Sequence, residues 1–76
     1  MKELEVKRSL KEWTNLVVRL EFCTLFGRRL GVIVGHLRNI DGDYKVQTSC
    51  GWAEFTMEDC SSIGFDTNGV RVIRLH

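Results

Sequence analysis

The chain contains no proline, no low-complexity stretch and no linker. Nothing marks a boundary between two domains, and 76 residues leave room for one core, read here as a single domain over residues 1–76. No apolar run approaches the roughly 18 residues of a membrane-spanning helix, and none forms the apolar stretch of a secretory leader. A cytoplasmic protein with no membrane partner is expected. Cysteine is scarce and odd in number. Cys23, Cys50 and Cys60 form no Cys-x-x-Cys pair and leave one thiol unmatched, which argues against a disulfide scaffold. They read as reduced thiols, with Cys23 and Cys50 buried as small hydrophobes and Cys60 exposed. His36 and His76 have no cysteine or carboxylate at ligand spacing, so no metal is expected.

Charge of one sign is also lacking. Eleven basic residues face ten acidic ones, for a net charge of +1. A dedicated nucleic-acid binder of this size is usually far more basic, because neutralised phosphates supply most of its affinity. The distribution is uneven, with a balance of +4 over residues 1–40 and −3 over residues 41–76. Such polarity can steer a partner or make head-to-tail contacts between subunits. Catalytic patterns are missing as well. Ser61-Ser62 have no glycine elbow around them, and Gly27-Arg28-Arg29 lacks the Lys-Ser/Thr of a phosphate loop. Neither an enzyme nor a cofactor is expected.

What the chain does contain is period. Val6, Leu10 and Trp13 fall on one helical face, which predicts a helix over residues 1–14 that docks this stripe, with Asn15 ending it. Strand signals then fill residues 16–75. Leu16, Val18, Leu20 and Phe22 alternate with a set holding Arg19 and Glu21. Phe26-Gly27-Arg28-Arg29 supplies a turn. Leu30 to Asp41 is a long strand interrupted by Gly31 and Gly35, where a bend or a close backbone approach is expected. Asp41-Gly42 and Asn68-Gly69 are hairpin dipeptides. Glu58 to Ser62 reads as one 3₁₀ turn. The sum is a mainly β fold: a small, strongly bent antiparallel barrel of five to six strands with a short N-terminal helix. The last strand, Val70 to Leu75, is apolar on both faces, and pairing of an exposed edge predicts a homo-oligomer.

This order of elements resembles the Sm-like family. The resemblance rests on Val18-x-Leu20, on Gly35-x-Leu37-x-x-Ile40-Asp41 with Tyr44-x-Val46, and on Phe55 to Ile63 where a second signature would lie. It spans roughly residues 4–65 and implies the bent barrel. The segment Gly35-x-Leu37-x-x-Ile40-Asp41 is also similar to the YolD-like family of small bacterial proteins. The loops that form the RNA pocket of Sm-like proteins carry Asp41, Asp43, Glu58 and Asp59 here, and acid at those places repels phosphate.

Two binding classes therefore stand side by side. In one, Arg28, Arg29, Arg38 and Lys45 contact the phosphates of RNA or DNA, and Tyr44 or Trp52 stacks a base. In the other, the protein is an interaction or regulatory module, an inhibitor or self-assembling subunit, acting through sheet edges and the helix. Trp52 is weighed as core against binding surface. Core is preferred, because so short a chain needs each large aromatic.

Overall fold

The computed structural model describes residues 2–24 and 28–76, apart from the side chains of Lys2 and Arg29. Of the turn expected over Phe26-Gly27-Arg28-Arg29, Phe26 and Gly27 lie outside the described residues, and Arg29 already belongs to a strand. Helix α1 spans Lys2–Trp13 and is followed by strands β1 (Val17–Cys23), β2 (Arg29–Ile40), β3 (Asp43–Thr48) and β4 (Gly51–Glu54). A 3₁₀ turn, Met57–Asp59, leads to β5 (Cys60–Phe65) and β6 (Arg71–Leu75).

The helix buries the stripe that its period marks: Val6, Leu10 and Trp13. It ends because Asn15 adopts the left-handed conformation, φ 70°. The Asn15 N–H then donates to the Leu37 carbonyl at 2.6 Å, so the helix terminus is tied directly to β2. Trp13 also meets Phe65 of β5 edge-on, with ring centroids 5.5 Å apart. Below the helix lie Val18 and Leu20 of β1, Leu37 of β2, Val46 of β3, and Ile73 and Leu75 of β6.

Among the described residues the six strands form one sheet in the order β4-β3-β2-β1-β6-β5. It departs from the expected antiparallel barrel in two ways. The sheet is mixed, because β6 runs parallel to β1, with Arg19 opposite Val72 and Phe22 opposite Leu75. It is also open, because β4 and β5 stand at opposite ends of the order and do not pair. The sheet is nevertheless curled. Flat strands set about 4.8 Å apart would place its two edges roughly 24 Å apart. The link from Glu54 to Cys60 reaches only about 20 Å when fully extended, and part of it is coiled as 3₁₀. The last strand is not an edge. Lying between β1 and β5, β6 needs apolar residues on both faces, and Val72 and Ile73 are both buried.

Both hairpins form where their dipeptides predict them, with different turn geometries. Asp41 and Gly42 both have positive φ, 54° and 90°, which is the type I′ geometry expected of Asp-Gly. At the second hairpin only Gly69 is left-handed, φ 79°. The Asp66 carboxylate accepts from the Asn68 and Val70 N–H groups at 2.8 and 2.9 Å. The Gly69 N–H bonds the Asp66 carbonyl at 3.1 Å, giving a type I turn followed by a bulge rather than a two-residue turn.

The long strand turns on Gly35. A Cβ there would collide with the backbone carbonyl oxygen of Gln47 and lie 2.8 Å from Val46 Cγ1. At Gly31 a Cβ would meet nothing within 4 Å. Gly35→Ala is therefore expected to destabilise the fold by about 1–3 kcal/mol, and Gly31→Ala to stabilise it by about 0.4–1 kcal/mol. Denaturant melts of both variants check this; equal effects would contradict the contact at Gly35.

Candidate functional site

Register places outward-facing side chains in rows on the sheet face opposite the helix. Trp52, Gln47, His36 and Val17 form one row across β4, β3, β2 and β1. Glu54, Lys45 and Arg38 form the next. Of the residues expected to bind, this face gathers Arg38, Lys45 and Trp52. Trp52 is 51% exposed, so it stands on the surface and not in the core. Tyr44 lies opposite Asn39 in β2 and packs against the core cluster, so it faces away from the other three. Arg28 lies beyond the far end of β2, where its N–H donates to Thr24 Oγ1 at 3.1 Å. Arg29 opens β2 opposite Cys23, and its side chain lies outside the described set.

The gathered cations have partners. Lys45 Nζ lies 3.0 Å from Glu54, whose carboxylate raises the lysine above its ordinary pKa. Arg38 donates to Asn15 Oδ1 at 2.7 Å and to Gln47 Oε1 at 3.2 Å. Farther along the face, Glu21 is the one buried charged residue among those described, at 5% exposure. Its two carboxylate oxygens take Arg19 at 3.0 Å and Arg74 at 3.1 Å. Arg19 also reaches Asp66 at 3.0 Å. This chain of charges ties β1, β6 and the β5–β6 turn together, and sequence alternation alone reads Glu21 as a solvated residue.

A cavity of about 300 Å³ opens beside Lys45, lined by Asp43, Tyr44, Glu54, Phe55, Thr56 and Asp59. Its carboxylates are partly engaged, Glu54 by Lys45 and Asp59 by the Thr56 hydroxyl at 2.9 Å. No cluster of His, Cys, Asp and Glu suited to a metal occurs among the described residues.

The most open feature is the first half of β2. Leu37 directs both of its backbone groups toward β1. Its N–H donates to Leu16 O at 2.9 Å, and its carbonyl accepts from Asn15. Backbone groups alternate sides along a strand. Gly31, Ile33 and Gly35 therefore share this direction, while His36, Arg38 and Ile40 bond β3. The same parity points the N–H and C=O groups of Val32 and Val34 away from β1. There β2 has no neighbour among the described residues, since β3 pairs with it only from His36 onward. Both side chains are exposed on the outer face, Val32 at 43% and Val34 at 56%. Leu30, 68% exposed, extends this apolar row at a bulge, where Gly31 opposes Phe22 and Arg29 opposes Cys23. Glycine in this strand suggests a bend, but only the register shows that, among the described residues, its first half has a neighbour on the β1 side alone.

No family model, no curated protein and no solved structure matches the chain.

The thiols depart from expectation. Cys50 sits exposed in the β3–β4 turn, and Cys23 and Cys60 are half-buried. Burial first, and then the neighbouring Asp59 charge, push the Cys60 thiol up to about 11. At pH 8 a thiol reagent is expected to modify Cys50 fastest and Cys60 slowest. Peptide mapping over time checks the order, and rapid labelling of Cys60 would contradict it.

The Asp66 carboxyl is held below its ordinary value, chiefly by the Val70 N–H, with help from the Asn68 N–H and Arg19. A lowered folded pKa gives stability that is present above about pH 4 and lost as pH falls through the folded value. In Asp66→Asn the amide oxygen still accepts both N–H bonds, but the charge is gone. This variant is expected to melt lower than the parent at pH 7 and to lose less on acidification to pH 3. An unchanged acid slope would contradict the assignment.

Proposed function

We propose that the protein is a non-enzymatic interaction module that accepts an extended strand of a protein partner along the first half of β2. The observation that carries this reading is the row of unpaired backbone groups at Val32 and Val34 beside the exposed side chains of Leu30, Val32 and Val34. An added strand satisfies those groups with main-chain hydrogen bonds, and alternate apolar side chains of the partner meet the outer face. The net charge of +1 and the engaged state of Arg38 and Lys45 weigh against phosphate as the main ligand. Nucleic-acid binding stands as the second reading, favoured by Trp52, half exposed in one row with Gln47 and His36.

One titration separates the two. Dilute ¹⁵N-labelled protein receives either a peptide copying residues 28–36 or a mixed-sequence single-stranded oligonucleotide at low salt. The peptide is expected to slow amide exchange at Val32 and Val34 at least tenfold, while the oligonucleotide leaves the spectrum unchanged. Oligonucleotide binding that weakens with salt and shifts the Trp52 indole, with no response to peptide, would overturn strand addition and establish the second reading.

A further inference from the structure

Among the described residues, the free edges at β4, at β5 and along the first half of β2 are not equivalent. Edge strands invite other chains unless charge, shortness or a bulge protects them. β4 spans four residues and carries the Glu54–Lys45 ion pair at its end. β5 is broken by a bulge between Cys60 and Ser62, follows Glu58 and Asp59, and leads into Asp66. The free half of β2 has no charge on its outer row, and its bulge, at Leu30, lies only at the far end of the segment. Leu30-Gly31-Val32-Ile33-Val34-Gly35 holds no charge and no proline, and three of its residues are β-branched. Uncharged, β-rich segments of this length pair readily with copies of themselves.

We infer that the strand accepted by β2 is the same segment of a second copy of this chain, joined antiparallel about a twofold axis at Val32. The inference rests on the strand-addition reading and names its occupant. Antiparallel self-pairing is isologous, so one contact satisfies the same groups in both copies and closes the assembly at two. Val32 then exchanges its N–H and C=O bonds with Val32 of the second copy, and Val34 falls opposite Leu30 of that copy. The apolar rows of Leu30, Val32 and Val34 become continuous across the junction. Charge agrees with this occupant. No charged residue lies in the paired segment, and the Arg28-Arg29 ends of the two copies are carried to opposite ends of the contact. Pairing therefore sets no like charges directly across from each other. A junction of about six residues per copy is at the small end of specific interfaces, below about 1,200 Å² in total. Dissociation at micromolar concentration or above is the expected consequence.

Sedimentation equilibrium of the full chain from a few micromolar to near-millimolar protein tests the inference. The mass is expected to rise from 8.8 kDa to twice that value and stop there. Amide exchange at Val32 and Val34 should slow in step with the rise. Val32→Lys places two like charges on the axis while leaving the β1-facing bonds intact, and should hold the mass at one chain throughout. Leu4→Lys, on the exposed side of the helix, should dimerise like the parent. A parent that remains one chain at every concentration would overturn the inference, as would a Val32→Lys variant that still doubles. If the parent stays single yet the peptide of residues 28–36 still protects Val32 and Val34, the second copy is excluded and strand addition stands. If neither protects them, both fall.

Discussion

The close approach of Gly35 to the backbone of Gln47 is the contact on which the rest of the fold depends. β2 is twelve residues long, and no single neighbour matches it. Its first part pairs with β1 and its last part with β3, and the two pairings overlap only near His36. At the overlap the strand must press against β3 without a side chain in the way. Glycine meets that demand. The close approach lets β2 pass from β1 to β3, and the curl of the sheet allows the Phe55–Asp59 link to join its two ends. The same offset leaves the first half of β2 with a neighbour on one side only.

The helix and the charges lock this arrangement from opposite faces. On the concave side Val6, Leu10 and Trp13 cover Leu20, Leu37 and Ile73, and Asn15 ties the helix end to Leu37. On the outer side Glu21 joins Arg19 to Arg74 across the parallel β1–β6 pair. The parallel β1–β6 pair joins strands distant in sequence, and a buried carboxylate shared by two arginines holds its register. Removing only one partner of such a set leaves charge without compensation, so its role is better described as fixing alignment than as adding net stability.

Local chemistry was legible in the sequence, and long-range placement was not. The helix stripe follows from the 3.6-residue period, the Asp41-Gly42 turn from its demand for positive φ, and the close contact at Gly35 from glycine inside a strand. The Asn68-Gly69 dipeptide predicts the second hairpin but not its bulge, which depends on the reach of the Asp66 carboxylate. Cys50 was assigned to a core because alternation was carried one step past the end of β3, into the turn. The barrel was expected because neighbouring hairpins suggest an all-antiparallel closure. The β1–β6 parallel pair leaves no local trace and places β5 at the far end of an open sheet. The site divided for the same reason. Arg38, Lys45 and Trp52 share a face through register, while Tyr44, adjacent to Lys45 in sequence, takes the opposite face because strand side chains alternate.

The central claim is that β1 borders the first half of β2 and β3 the second, so that Val32 and Val34 have a neighbour on one side only. Through-hydrogen-bond couplings in dilute ¹³C,¹⁵N-labelled protein read those partners directly. The account predicts couplings that join Ile33 and Gly35 to β1 and Arg38 and Ile40 to β3, with none from the Val32 or Val34 N–H to any carbonyl of the same chain. A coupling from Val32 or Val34 to another strand of its own chain would mean that the first half of β2 has a second neighbour, and would contradict the binding edge.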